Sequence, residues 1–270
     1  MTSDVSVMLE IAFDGQEEQT ESTSGREASE ARLGRTRGLL AVAGLLAGSL
    51  AFGVGEAVYE LIPAGTVTQH ALGLTKVSSS VATETVAAAR NGALAFGVLG
   101  LFLGGSLGLA GGLARRSSIG AAAGGLGSVL GFAAGAGASM ALLPFCIASR
   151  IRYPENELVI SFLMHGAIWG LLGALAGLAF AVGLGERPLW VRALTAGFIG
   201  ALVGAVAFEL IGAVAFPGAK TDDPISRTWA TRLMARLLVT VATAAAVSLV
   251  LPVRSAESSG PRSAPENTGT

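Results

Sequence analysis

The sequence predicts an all-α fold, a Gly-rich bundle of six membrane-crossing helices. Three observations carry that prediction. Of 270 residues, 51% are hydrophobic and 14% charged, and the mean hydropathy is +0.63. Too little polar sequence remains to coat a soluble core. The charges avoid six runs, roughly 38–62, 92–113, 119–148, 158–184, 189–216 and 229–251, each about twenty residues or longer and so able to span hydrocarbon as a helix. These runs lack the strict alternation of barrel strands, and backbone groups in lipid must be satisfied internally, which makes helix the default.

Residues 1–37 precede the first run with eight acids and four arginines among Ser, Thr, Gln and Gly, the composition of a disordered tail. Within it, "VSVMLEIAF" (5–13) is a short apolar patch, either a docking segment or a loose end. No cleavable signal peptide is expected, because a signal places its apolar stretch near the start. Residues 252–270, "PVRSAESSGPRSAPENTGT", read as a second solvated tail. Arg32, Arg35 and Arg37 abut the first run, and Arg115 and Arg116 fill a very short loop. Positive charge so placed favours the cytoplasmic side. The expected topology has both termini cytoplasmic, in a membrane of the bacterial inner (plasma) type.

Helices two to five carry glycine at four-residue spacing. Gly100, Gly104, Gly108 and Gly112 form one series, and Gly127, Gly131 and Gly135 a second. Gly166/Gly170, Gly173/Gly177 and Gly200/Gly204 add to them. Such stripes let backbones approach closely, either inside one bundle or as a glycine-zipper face between copies. "GSVLG" (127–131) recurs as "GALVG" (200–204), and a proline, Pro144 or Pro217, follows each at the same distance. The sequence therefore suggests three repeated helical hairpins. Helix six has no glycine and is expected at the periphery.

The polar residues inside the runs are the candidate site. Glu56, Tyr59 and Glu60 share one face by i, i+3, i+4 spacing if helix one continues through them. Glu209 prolongs the small-residue stripe Gly197, Ala201, Ala205, Ala213 of helix five. Arg90, His165, Arg232 and Arg236 fall at similar depth on helices two, four and six. Three Glu against three Arg can balance without residual charge. An ionised group facing lipid is costly, so these side chains should turn inward and find partners. Together they form either a polar cavity for an ion, proton or charged solute, or a set of ion pairs that fixes helix register.

Catalytic readings are weaker. "GGSLG" (104–108) matches G-x-S-x-G but sits inside a glycine-striped helix rather than a strand–turn–helix elbow. Ser139 in "GASM", with His165, resembles the Ser/His chemistry of the six-helix rhomboid proteases. The glycine after the serine is missing and the histidine stands in the next helix, so an intramembrane serine protease is set aside. There is no H-E-x-x-H or Walker motif, and the single Cys146 builds no metal cluster, so no cofactor or metal is expected. His70 falls in an outer loop and is expected to be solvated. Asp222 and Asp223 in "KTDDP" are more simply turn residues than a cation site. Tyr153, Trp190 and Trp229 fall at helix ends, as interface anchors do. A net charge of −1 gives no basic field for nucleic acid. The expected partners are the bilayer and a second copy or another membrane protein. The functional readings are a small transporter or channel-like protein with an outward-facing charged cavity, or a non-catalytic membrane scaffold.

Overall fold

The computed structural model describes residues 4–71, 74–216, 218–221 and 223–251, and the side chains of 1–26, 28 and 69–76 lie outside that description. Six long helices dominate: α1 (Asp4–Ala57), α2 (Val81–Arg115), α3 (Ile119–Arg152), α4 (Glu157–Leu184), α5 (Trp190–Ala215) and α6 (Trp229–Leu249). All six are long and apolar enough to cross a membrane, the apolar part of α1 being Ser29–Ala57. Residues Thr36–Val250 make one compact unit. The N-terminal segment read as a tail is helical from Asp4. Its Glu, Gln, Ala and Arg content suits a helix. The second tail, 252–270, lies outside the described residues.

Two boundaries differ from the sequence reading, and both matter for the site. Helix α1 stops at Ala57, and Val58–Glu60 form a turn in which Glu60 adopts φ 50. That left-handed residue ends the helix, and Pro63 follows within three residues. Helix α2 starts at Val81 rather than 92. Its first turn closes a capping box, with Thr83 N donating to Ser80 Oγ (3.2 Å) and Ser80 N to Thr83 Oγ1 (2.9 Å).

Between them lies an antiparallel hairpin, β1 (Thr66–Ala71) and β2 (Leu74–Ser79), paired from Thr66↔Ser79 to Ala71↔Leu74. The β-branched stretches "TVT" and "LTKV" are its sequence signal. The Asn91 side chain ties the approach to this hairpin back onto α2. It accepts from Ile62 N (3.0 Å) and donates to Ile62 O (2.9 Å), replacing both bonds a β-partner would make.

Helices α2 and α4 are central, with 67% of each apolar window buried, against 28% to 39% for the others. Large apolar side chains such as Val129, Phe145, Val191 and Val214 point outward from α3 and α5. These are the faces a lipid environment would cover.

Close approach of backbones explains the glycines. A Cβ on Gly104 would run into the carbonyl of Gly127, one on Gly100 into that of Gly131, and one on Gly112 into Gly120. Gly108 meets Ala123, and Gly135 meets Phe96. The whole series therefore packs α2 against α3 within the chain. In the second hairpin the contacts are Gly173–Gly197 and Gly177–Ala193. Gly200 and Gly204, the positions matched to Gly127 and Gly131, face α6 instead, against Ala242 and Val239. The sequence match thus does not place equivalent glycines on equivalent contacts. Helix α6 lies outside the central pair, with α5 on one side and α1 on the other, the latter through Gly44 on Ala244 and Gly48 on Thr240. Small side chains on α6 (Ala244, Thr240, Thr243) do what glycine does elsewhere.

Candidate functional site

The polar groups gather at the end of the bundle that carries the hairpin and the 216–228 loop. They form two separate constellations and not one balanced cluster.

The first is centred on Arg232, which is buried on the first turns of α6. Its Nε and Nη2 donate to the two carboxylate oxygens of Glu56, each at 2.6 Å. This is the bidentate fork that makes Arg–carboxylate pairs strong and directional. Nη1 donates to the carbonyls of Ser226 (3.1 Å) and Arg227 (2.8 Å). The guanidinium also lies over the Tyr59 ring, 3.7 Å from its centroid. Burial pushes the Tyr59 hydroxyl above its ordinary range, and the neighbouring Glu60 carboxylate, to which it bonds, adds to that. One guanidinium thus joins the end of α1, the following turn and the α5–α6 loop.

The second is built on α4 and α5. Glu209 is 8% exposed, and its Oε1 meets His165 Nδ1 at 2.7 Å and Ser161 Oγ at 3.3 Å. Ser161 and His165 are one helical turn apart on α4, so both reach the same carboxylate. His165 is wedged between Trp169 (4.9 Å between ring centroids) and Phe208 (5.7 Å, edge-on). The stripe Gly197, Ala201, Ala205 leading to Glu209 is buried as expected, but Ala213 beyond it is exposed.

Arg236, one turn beyond Arg232, lies between the two. It is 6% exposed, and Nη1 donates to the carbonyl of Ala51. Gly55 makes room for the guanidinium, because a Cβ there would overlap it. No carboxylate lies within ion-pair distance of it among the described residues.

A small cavity of about 30 Å³ opens beside these groups, lined by His165, Trp169, Phe208, Ser226, Arg232 and Arg236 among others. That is room for one or two waters. The Trp169 indole N–H, fully buried, has no acceptor among the described residues. Sequence reasoning missed Trp169 and Ser161, since a Trp or Ser in an apolar helix carries no signal of depth or facing.

Two predicted members fall outside. Glu60 is exposed, because α1 ends before it and the turn carries it outward. Arg90 is exposed on the early turns of α2, beside a separate crevice formed by Ile62, Pro63, Gly65, Thr83 and Val86. The early start of α2 puts it there. The expected three-against-three balance therefore reduces to one Glu–Arg pair and one Glu–His pair. Ser139 and His165 are not hydrogen-bonded to each other. Ser139 Oγ donates to Gly135 O (2.7 Å) while His165 is engaged by Glu209. In the 216–228 loop, Asp223 accepts from Arg227 (2.9 Å), while Asp222 and the His70 side chain lie outside the described residues. Tyr153, Trp190 and Trp229 are exposed at helix ends.

No protein-family model, curated protein or solved structure matches the chain. The fold therefore defines a class by its own features: a helical chain with one short β-hairpin and six helices long and apolar enough to cross a membrane. Function rests on the site alone.

Proposed function

We propose that the chain is a multi-pass protein of the plasma-membrane type, with both termini cytoplasmic, that moves a small solute or ion through its hairpin end. One observation carries the reading. His165 and Arg236 are buried and line one cavity, Glu209 is buried against His165, and Arg236 has no carboxylate within ion-pair distance among the described residues. Charged groups held in an apolar bundle at such cost mark solute or proton pathways more often than they mark supports. A His–Glu pair can also exchange a proton as a solute passes.

The test is flux. Purified protein in liposomes carrying a salt gradient should dissipate it faster than protein-free liposomes, by tenfold or more, and Glu209→Gln should remove most of the excess. Equal rates with and without protein would remove the transport reading.

The alternative is a non-catalytic membrane scaffold, and the Arg232 constellation favours it locally. Its bonds to Glu56 and to two loop carbonyls tie α1, α6 and the α5–α6 loop together. A scaffold would co-purify with a partner and show no flux.

A further inference from the structure

We infer that the crevice beside Arg90 binds an anionic phospholipid, with the lipid phosphate on the Arg90 guanidinium and a stretch of acyl chain against the crevice walls. The inference rests on the chain's being membrane-inserted and is independent of any flux.

The crevice holds about 300 Å³ and lies at the hairpin end of the bundle. Thr83, Val86, Ala87 and Arg90 form one wall. They stand at i, i+3, i+4 and i+7 and so share one face of α2. Ile62, Pro63 and Gly65, between α1 and β1, form the other wall. The protein's own bonds set the gap between the two. The Asn91 side chain holds both backbone groups of Ile62, and Pro63 stiffens the residue that follows. A site whose walls are already fixed pays little ordering cost on binding.

The lining is that of a site for an amphiphile. Apart from Thr83 and Arg90 its side chains are apolar, and Thr83 Oγ1 is spent locally, donating to Ser80 O (2.9 Å). Val86 is exposed, as are Leu61 and Val81, next in sequence to the crevice residues on either wall. An acyl chain covers such a surface better than water does.

Arg90 supplies the one charge. It is exposed, and it makes no ion pair among the described residues. Glu84, the nearest acid in sequence, lies off this stripe and accepts from Ser79 Oγ. A guanidinium takes a phosphate through parallel N–H bonds. A zwitterionic choline lipid would bring a second cation to an arginine that has no counter-charge, whereas an anionic lipid supplies one.

Purified protein is melted in mixed micelles of detergent and phosphatidylcholine, at constant ionic strength, while phosphatidylglycerol replaces phosphatidylcholine. The expected result is a saturable rise of roughly 3 °C at ten times the apparent dissociation constant. Water-soluble glycerol phosphate at the same concentration should give no rise. Arg90→Gln should move the midpoint at least about tenfold higher. Ala82→Phe adds a ring to the crevice lining from an exposed position, keeps Arg90, and should abolish the rise. Arg152→Gln removes another exposed arginine at the same end of the bundle and should leave the midpoint unchanged.

A flat melting curve overturns the inference. So does an unshifted midpoint in Arg90→Gln, or a rise that survives in Ala82→Phe. An equal shift in Arg152→Gln would make the effect one of net charge, and an equal rise with glycerol phosphate one of a soluble anion; either removes the lipid site. Flotation separates this failure from that of the membrane reading. Protein that does not float with phosphatidylcholine vesicles removes both, and protein that floats without preferring phosphatidylglycerol removes the lipid site alone.

Discussion

Gly104→Ala should destabilise the bundle by about 3 kcal/mol or more, among the largest effects of any single methyl added to this chain. The new Cβ would meet the carbonyl of Gly127, which is backbone and cannot swing aside as a side-chain tip would. Relief requires α2 and α3 to separate, and that opens the neighbouring contacts of Gly100 with Gly131 and Gly112 with Gly120. In a bundle with lipid outside, helix association depends on such close packing more than on hydrophobic drive, so few compensating contacts remain. Gly125→Ala is the matched control, because nothing lies within 4 Å of a Cβ there. That substitution should be neutral or stabilising by up to about 1 kcal/mol from helix propensity. Thermal melting in detergent compares the two. Equal melting temperatures would contradict the backbone-contact account.

Arg232→Gln should cost about 2–3 kcal/mol, or roughly 5–10 °C in melting temperature. The loss has two parts. The carbonyls of Ser226 and Arg227 lose their donor, and the Glu56 carboxylate is left unpaired. Glu56 keeps 28% of its side-chain surface, so water offsets part of the second and holds the estimate below that for a fully buried pair. Glu56→Gln alone should cost less, since Arg232 retains the two carbonyls and the Tyr59 ring. The double variant should recover about 1 kcal/mol or more relative to the sum of the singles. Additive losses would mean that the fork contributes nothing beyond its separate parts.

Much of the fold was legible in the sequence. Apolar runs of spanning length marked six helices, because burial in hydrocarbon tolerates few charges, and four of the six, α3 to α6, fell within about a turn of the observed bounds at both ends. The glycine spacing showed where backbones would meet but not which partner each would meet. Gly127 and Gly200 occupy matched sequence positions, yet one faces α2 and the other α6. The hairpin was missed because its strands are short and polar, lying between two strong helical signals. The site was legible in its members and not in its pairing. Glu56, Glu209, His165, Arg232 and Arg236 stood out because charge in an apolar run is costly. Their partners depended on where α1 ends. A single left-handed residue, Glu60, takes itself out of the cluster, and the capped start of α2 at Ser80 takes Arg90 out. Trp169 gave no signal at all, because the burial of its N–H away from any acceptor among the described residues arises only once the bundle has closed.

Under the proposed function the two constellations differ in kind: the Glu56–Arg232 fork holds the fold, while the Glu209–His165 pair and Arg236 serve a solute. The most direct measurement is the melting temperature of Glu209→Gln beside wild type in the same detergent. Gln keeps the hydrogen-bonding shape opposite His165 and Ser161 and removes a buried charge, so melting at or above wild type is expected, together with lost flux. A fall comparable to that of Arg232→Gln would contradict it and make Glu209 a structural group.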